Sequence, residues 1–273
     1  MMRQPWIFML ALPLLAHAQQ WPVYGGDDGG SKYSLLDLIN RSNVSKLKVA
    51  WEWKSGEVPM PQYGSTPGPF EGTPIMVDGV LYFPSSYYRV IALDAVSGHE
   101  LWTYDPKAYQ DGPDPNTRYS HRGIAAWHDG GKLRIFLNVH QKLICLDAAT
   151  GKPVANFGDN GVISLIKDLR WEVNPKHYSN SSPPVVYKDL VIVGSNVNDY
   201  MVYKKDPPGD VRAYRAGTGK LAWTFHTVPE SGERGAETWG GGSEKLTGHT
   251  NVWAPFTLDS GRGLVYLPVS TPS

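Results

Sequence analysis

A four-strand pattern that recurs along the chain constrains the fold more than any other feature of the sequence. Its first copy occupies residues 73–105. Two apolar runs flank Asp78-Gly79, a dipeptide typical of a tight hairpin turn. A second turn ends at Gly98, which accepts a positive φ without a Cβ clash. The predicted strands of this copy are 74–77, 80–83, 90–93 and 101–104.

Further copies share the turns and aromatic residues of the first. They lie at residues 123–158, 184–226 and 252–270, and the last is a hairpin alone. In the copy at 184–226, Gly219 and Trp223 take the places of Gly98 and Trp102. In the copy at 123–158, Ala155 stands where the tryptophan is expected. Such repeats predict a β-propeller, whose rings usually hold about four to eight blades. A β-sandwich with similar hairpins is the alternative.

Residues 47–53, ahead of the first copy, have the pattern of a fourth strand alone, with Trp51 aligned to Trp223. In a closed propeller, such a strand completes a blade whose other strands come from the far end of the chain. We therefore predict an all-β fold, an incomplete β-propeller of about three to four blades of four-stranded antiparallel sheet. We expect that the lone strand and the incomplete last unit arise because the sequence is the N-terminal part of a longer protein. Closure by pairing with a second copy is the alternative.

The N-terminus reads as a targeting segment. Arg3 precedes an apolar run at 6–15 that is too short to span a bilayer, and Ala16-His17-Ala18 has a small-x-small cleavage pattern. We predict a signal peptide at 1–18 and a propeller domain at 19–273, with an uncleaved membrane anchor as the alternative. No later stretch is long enough to span a membrane, so none is expected after cleavage.

Charge and cysteine content narrow the function. The chain has 26 basic and 26 acidic residues and no basic run, which argues against a nucleic-acid partner. The single cysteine, Cys145, excludes an internal disulfide. Because it falls in a predicted strand, at a position where the sister repeats carry Ala92 and Ala213, we expect a small buried residue.

The loops between units carry the candidate site. Glu71 and Arg122 each precede a predicted hairpin, and residues 195–199, which end in Asp199, follow one. Trp253 ends the glycine-rich stretch 237–253. Loops at one end of a propeller converge on its axis, so these residues can line one central site. Carboxylates, a cation and an aromatic face suit a flat anionic ligand beside a hard metal ion. The alternatives are that Glu71 is a solvated carboxylate at a strand end, that Arg122 forms a surface ion pair and that Trp253 only packs between blades.

Several stretches resemble the pyrroloquinoline quinone (PQQ)-dependent dehydrogenases, the quinoprotein alcohol and glucose dehydrogenases. The resemblance runs over nearly all of the mature chain. The most specific motifs are Glu-Thr-Trp at 237–239, Asn-Val-Trp-Ala-Pro at 251–255 and the Arg-Gly pair at 122–123. The carrying stretches are 21–40, 71–83, 90–105, 182–195, 209–229 and 251–270.

The resemblance implies an eight-bladed propeller with PQQ on its axis. Glu71 is similar to the cofactor-binding acid of the family, and Arg122 to the arginine that reaches the quinone oxygens. Trp253 is similar to the tryptophan on whose face the PQQ ring lies. Thr250 and Asn251 are expected to make polar contacts with the cofactor. A flat tricarboxylate suits an aromatic floor and a guanidinium.

The resemblance also implies Ca²⁺ beside PQQ, with Asp199 and Asn198 at the metal position, because Ca²⁺ prefers oxygen ligands. Some alcohol-oxidising members carry an adjacent cysteine pair where this chain has residues 116–118, which contain none. That difference favours a glucose or polyol substrate. The catalytic aspartate of the family is expected outside this sequence, so we nominate no catalytic residue and expect the chain by itself to be inactive.

The resemblance predicts an exported, periplasmic dehydrogenase that oxidises a small alcohol, polyol or aldose. Its electrons are expected to pass from PQQ to a respiratory acceptor, a quinone or cytochrome c. The alternative function is that of a non-enzymatic propeller scaffold of the outer-membrane assembly type. Such scaffolds usually carry a lipid-anchoring cysteine after the leader, and this chain has none there.

Overall fold

The computed structural model describes residues 20–199 and 203–271. The predicted signal peptide lies outside these residues. Within them the secondary structure consists of β-strands and short 3₁₀ helices. None of these helices is long and apolar enough to cross a membrane. The 3₁₀ helices are Val44–Lys46, Pro61–Tyr63, Ala108–Gln110, Pro175–His177, Ala236–Thr238 and Gly240–Lys245.

The strands form successive antiparallel sheets, as the repeats predict. The first sheet contains β1 (Ile75–Val77), β2 (Val80–Pro84), β3 (Val90–Asp94) and β4 (Glu100–Tyr104). The second contains β5 (Ala125–Asp129), β6 (Lys132–Val139), β7 (Lys142–Asp147) and β8 (Val162–Ser164). A two-stranded pair is formed by β9 (Tyr178–Ser179) and β12 (Asn196–Val197). The third sheet contains β10 (Val185–Tyr187), β11 (Leu190–Val193), β13 (Val211–Arg215) and β14 (Leu221–Phe225), and a final hairpin contains β15 (Thr257–Asp259) and β16 (Leu264–Tyr266).

The sheets pack face to face through apolar side chains, like blades around an axis. Successive residues of a strand point to opposite faces, so one strand serves two neighbours. In β6, Ile135 and Leu137 belong to the core shared with the first sheet, whereas Phe136 belongs to the core shared with the third. Cys145, paired with Phe136, is fully buried there, and burial raises the pKa of its thiol to about 12. The prediction of a small buried cysteine is confirmed.

A tryptophan of one blade sits on the turn of the next. The indole nitrogen of Trp102, in β4, donates to the carbonyl oxygen of Ala148 at 2.8 Å. A Cβ at Gly151, in the same turn, would lie 2.5 Å from Cε3 of Trp102. The φ of Gly151 is also +69°. Glycine is therefore required at this turn for its conformation and for its lack of a side chain.

The fourth strand of the second unit was wrongly predicted. We expected the tryptophan position of this blade at Ala155, but the fourth strand is β8, Val162–Ser164. The chain first makes a compact detour that buries Phe157, whose ring centre lies 5.6 Å from that of Phe136. Ile163 then occupies the tryptophan position, because a Cβ at Gly219 would lie 2.8 Å from Cγ2 of Ile163.

The isolated fourth strand predicted at 47–53 is not a strand in the structure. A strand is defined by backbone hydrogen bonds to a neighbouring strand, and no described strand pairs with these residues. The packing role of Trp51 is nevertheless the expected one. Its indole nitrogen faces the carbonyl oxygen of Ala95 at 3.3 Å, and a Cβ at Gly98 would lie 2.4 Å from its ring.

Replacing Gly151 with alanine should destabilise the fold through both backbone strain and a clash with Trp102. Gly79 provides the matched control, because its φ is +80° but a Cβ there would have no neighbour within 4 Å. We expect Gly79→Ala to cost about 1 kcal/mol and Gly151→Ala about 1–3 kcal/mol more, in unfolding free energy measured by denaturant titration. Equal costs for the two variants would show that Trp102 does not press on this turn.

Candidate functional site

Two of the predicted site residues are in direct contact. The guanidinium carbon of Arg122, in the loop before β5, lies 5.2 Å from the ring centre of Trp253, in the loop before β15. This is within the range of a cation–π interaction. Arg122 Nη1 also donates to the carbonyl oxygen of Ser181 at 3.1 Å. Trp253 is 44% exposed, so much of its ring is open to a ligand.

Glu71 is attached to the same segment. Its Oε2 accepts a hydrogen bond from the hydroxyl of Ser120 at 2.5 Å, and Ser120 lies two residues before Arg122. The backbone nitrogen of Thr73 donates to the carbonyl oxygen of Arg122 at 2.8 Å. The loops that precede β1, β5 and β15 are thus linked by these contacts. They bring together a carboxylate, a guanidinium and an exposed indole.

A layer of buried polar groups, which we did not predict, supports these residues. The amide nitrogen of Asn138 donates to Asn180 Oδ1 at 3.2 Å and to the carbonyl oxygen of Ser182 at 2.9 Å. The hydroxyl of Ser182 donates to the carbonyl oxygen of Trp253 at 2.6 Å. The available signal was an asparagine within the apolar run of β6. A second signal was a polar stretch, 179–182, at the position where the other units carry Glu71 and Arg122.

His121 fixes the backbone on both sides of Arg122. Its Nδ1 accepts from the backbone nitrogen of Gly123 at 3.2 Å, so the proton is on Nε2, which donates to Asn138 Oδ1 at 3.0 Å. Burial lowers the pKa of His121 to about 4, and the nearby charge of Arg122 acts in the same direction. His121 is therefore neutral at pH 7, and the positive charge of the site comes from Arg122.

Thr250 and Asn251 lie in the loop that leads to Trp253, and both are buried. The side-chain nitrogen of Asn251 donates to the carbonyl oxygen of Ser195 at 2.8 Å, and its Oδ1 accepts from Ser270 at 2.8 Å. Asn251 therefore holds the loop in place with its amide group. Thr250 has a φ of 40°, a strained conformation for a β-branched residue. Contacts of these two residues with a ligand stay predictions.

The predicted metal position offers few oxygen ligands. Asp199 is exposed, and its Oδ2 accepts from the side-chain nitrogen of Asn116 at 3.0 Å. Among residues 20–199 and 203–271, no three histidine, cysteine, aspartate or glutamate side chains are grouped to hold a metal ion. Ca²⁺ takes about six to eight oxygen ligands. Asp199 and Asn198 therefore do not form a complete Ca²⁺ site by themselves, and their role stays a prediction.

The residues around Trp253 do fit a flat anion. The hollow that Trp253 lines together with Ser181 and Val252 has a volume of about 10 Å³ and admits no tricyclic ligand. A ligand would therefore lie on the exposed part of the ring. Arg122 already contacts that ring, so its guanidinium would share the face with the ligand or move to the ligand's charged edge. Glu71, which can only accept hydrogen bonds when ionised, suits an N–H or O–H edge.

Comparison with known proteins shows a similarity that begins at residue 21 and covers the rest of the chain. Residues 21–273 match the family described as "PQQ: Glucose/ethanol/alcohol dehydrogenase, beta-propeller domain". The chain is 32% identical over 275 residues to the quinoprotein glucose dehydrogenase of Escherichia coli (strain K12), covering 93% of this chain and 33% of that protein. It is 33% identical over 273 residues to the dehydrogenase subunit of the alcohol dehydrogenase (quinone) of Gluconobacter oxydans (strain 621H), covering 94% and 33%.

Solved structures show the same similarity. The quinohemoprotein alcohol dehydrogenase from Comamonas testosteroni superposes with a TM-score of 0.72 at 28% identity, over 94% of this chain and 36% of that one. A europium-containing methanol dehydrogenase superposes with a TM-score of 0.67 at 25% identity, over 93% and 43%. The chain spans 33% of the length of each of the two curated relatives named above.

Proposed function

Because the chain belongs to the PQQ-dependent glucose, ethanol and alcohol dehydrogenase β-propeller family, we propose that its Arg122–Trp253 site binds PQQ. The observation that carries this proposal is the contact between Arg122 and the exposed ring of Trp253. The hydrogen bond from Ser120 to Glu71 attaches a third residue of the site, Glu71, to the segment that carries Arg122. A planar tricarboxylate requires an aromatic face and a cation, and this site offers both.

Each side chain has a distinct part in this proposal. Trp253 supplies a flat apolar face, and Arg122 supplies a permanent positive charge for a carboxylate or quinone oxygen. The neutral His121 orients the backbone of Arg122 without adding a competing charge. Glu71 accepts a hydrogen bond from the rim of the ligand. PQQ, when bound, would accept the two electrons released by oxidation of a hydroxyl-bearing carbon.

The activity proposed for the whole protein is oxidation of an alcohol, polyol or aldose. The absence of cysteine at 116–118 favours the glucose or polyol class. Export to the periplasm, electron transfer to a quinone or cytochrome c, and Ca²⁺ bound with the help of Asp199 and Asn198 complete the proposal. We assign no residue of this chain to the chemical step, and we propose that these residues alone bind the cofactor without turnover.

Activity should require PQQ. The full-length protein, incubated with PQQ and Ca²⁺, should reduce an artificial electron-accepting dye with at least one member of a panel of alcohols, polyols and aldoses. Omitting PQQ should abolish the reduction, because PQQ is the proposed acceptor of the substrate's electrons. A protein that neither reduces dye nor binds PQQ in an equilibrium titration would instead support the binding-only scaffold.

A further inference from the structure

A second buried polar cluster, which the proposed function does not use, surrounds Tyr88. We call Tyr88, Asp114 and His140 the Tyr88 cluster. The Nδ1 atom of His140 lies 2.7 Å from Oδ1 of Asp114, and the hydroxyl of Tyr88 donates to Oδ2 of Asp114 at 2.5 Å. All three residues are buried, with exposures of 7% for His140, 3% for Asp114 and 0% for Tyr88. Buried titratable groups are costly, so this arrangement calls for a role.

The hydrogen bonds of His140 define its charge. Its Nδ1 faces the carboxylate of Asp114, and its Nε2 faces the carbonyl oxygen of Ala108 at 3.3 Å. Both partners accept hydrogen bonds, so only the doubly protonated ring satisfies both. Burial alone would lower the pKa of His140, but the hydrogen bond and charge of Asp114 outweigh burial and raise the pKa above 6.5. The ionisable groups around this pair are Tyr88, Asp111, Tyr119, His121, Lys176 and Tyr178. Lys142 lies 3.6 Å from Asp111.

One side of the pair controls the chain that leads to Arg122. Asp114 opens a turn closed by two backbone hydrogen bonds to Arg118, of 3.0 and 3.1 Å. The hydroxyl oxygen of Tyr88, which donates to Asp114, also lies 2.8 Å from the carbonyl oxygen of Arg118. Three residues then separate Arg118 from Arg122. Fixing Asp114 therefore fixes the start of the segment that carries the guanidinium.

His140 is connected to the neighbour of Arg122 through hydrogen-bonded side chains. His140 occupies the turn between β6 and β7, and its carbonyl oxygen accepts from the side-chain nitrogen of Asn180 at 2.8 Å. Asn180 accepts in turn from Asn138, which accepts from His121, the neighbour of Arg122. The ring of Tyr88 contacts both histidines edge-on, at 5.8 Å from His140 and 5.7 Å from His121.

We propose that Asp114 and His140 are positioning residues for Arg122. The pair joins the turn at 114–118 to the β6–β7 turn, and so holds both ends of the path described above. The effect of this positioning on PQQ binding rests on the proposed function. We call the Asp114–His140 pair the clamp. It involves only residues of this chain, so it exists with or without PQQ.

The clamp should weaken as pH rises. A histidine whose pKa is raised by its partner stabilises the structure fully below its unfolded value, and that stabilisation is lost as pH rises through the folded pKa. We expect amides at 111–123 of the PQQ-free, full-length protein to exchange hydrogen about tenfold faster above the pKa of His140 than at pH 5.5, after correction for intrinsic exchange. PQQ affinity should fall over the same pH range.

Two variants and a control test whether the Asp114–His140 pair causes this pH dependence. Asp114→Asn keeps the shape and the acceptor for Tyr88 but removes the charge, so exchange at 111–123 should be fast at every pH. His140→Gln should behave in the same way. The control is His128→Gln, at an exposed histidine of β5, which should reproduce the unaltered protein.

Unchanged slow exchange in Asp114→Asn, or no pH dependence in the unaltered protein, would overturn the clamp. If Asp114→Asn does not fold, the titration of His140 followed by NMR decides the question. A pKa above 6.5 supports the clamp, and a pKa at or below 6.5 contradicts it. If PQQ does not bind at any pH while the exchange profile appears as expected, the proposed function fails and the clamp stands.

Discussion

Replacing Arg122 with glutamine should weaken PQQ binding by about 2–4 kcal/mol, the scale on which a charge-assisted pair at a partly desolvated site is lost. Glutamine keeps a polar side chain of similar reach but has no charge for a carboxylate. The measurement is an equilibrium titration of PQQ against the full-length protein. The effect should decrease at high salt, because Arg122 is only partly buried.

Arg118→Gln is the matched control for this variant. Arg118 lies in the same loop, is exposed, and makes its described hydrogen bonds through its backbone. The same change of charge there should leave PQQ affinity within about threefold of the original, as expected for a screened surface charge. Equal losses in both variants would mean that only the net charge of the loop matters and that Arg122 makes no specific contact.

Replacing Trp253 with alanine should weaken PQQ binding by about 1–3 kcal/mol through loss of the stacking face. Trp253 is 44% exposed, so the fold should lose less stability than it would from truncation of a core tryptophan. Trp253→Phe should recover part of the affinity, because phenylalanine keeps a smaller aromatic face.

Trp239→Ala is the control for this second variant. Trp239 lies earlier in the same loop but lines a separate cavity with Phe225 and His226. It should leave PQQ titration unchanged. An unchanged titration in Trp253→Ala as well would contradict the stacking role. Because Arg122 contacts Trp253, the double variant should lose less than the sum of the two single losses.

The repeated turns could be predicted from sequence because their chemistry is local. Asp78-Gly79 and Gly98 specify their own backbone conformations, and the tryptophans that pack on such turns recur at the same offset. The prediction was wrong at Ala155 because the detour that buries Phe157 depends on a neighbouring strand. It was also wrong about a strand at 47–53, because strand structure requires a paired neighbour.

The candidate site was only partly predictable, for a related reason. Loop position and family resemblance indicated Arg122 and Trp253, and the structure places them in contact. Their roles toward PQQ stay predictions. The Asp114–His140 pair was not predicted, because its members are far apart in sequence and meet only when the blade is folded. Asn138 was missed because a single asparagine in an apolar strand resembles an ordinary edge residue.

The central claim is that Glu71, Arg122 and Trp253 form one binding site for PQQ. A crystal structure of the full-length protein with PQQ tests it most directly. We expect the PQQ ring within stacking distance, about 3.5–4 Å, of the indole of Trp253, with a carboxylate or quinone oxygen hydrogen-bonded to Arg122. PQQ bound elsewhere, or bound without contact to either Trp253 or Arg122, would show that these residues do not form its binding site.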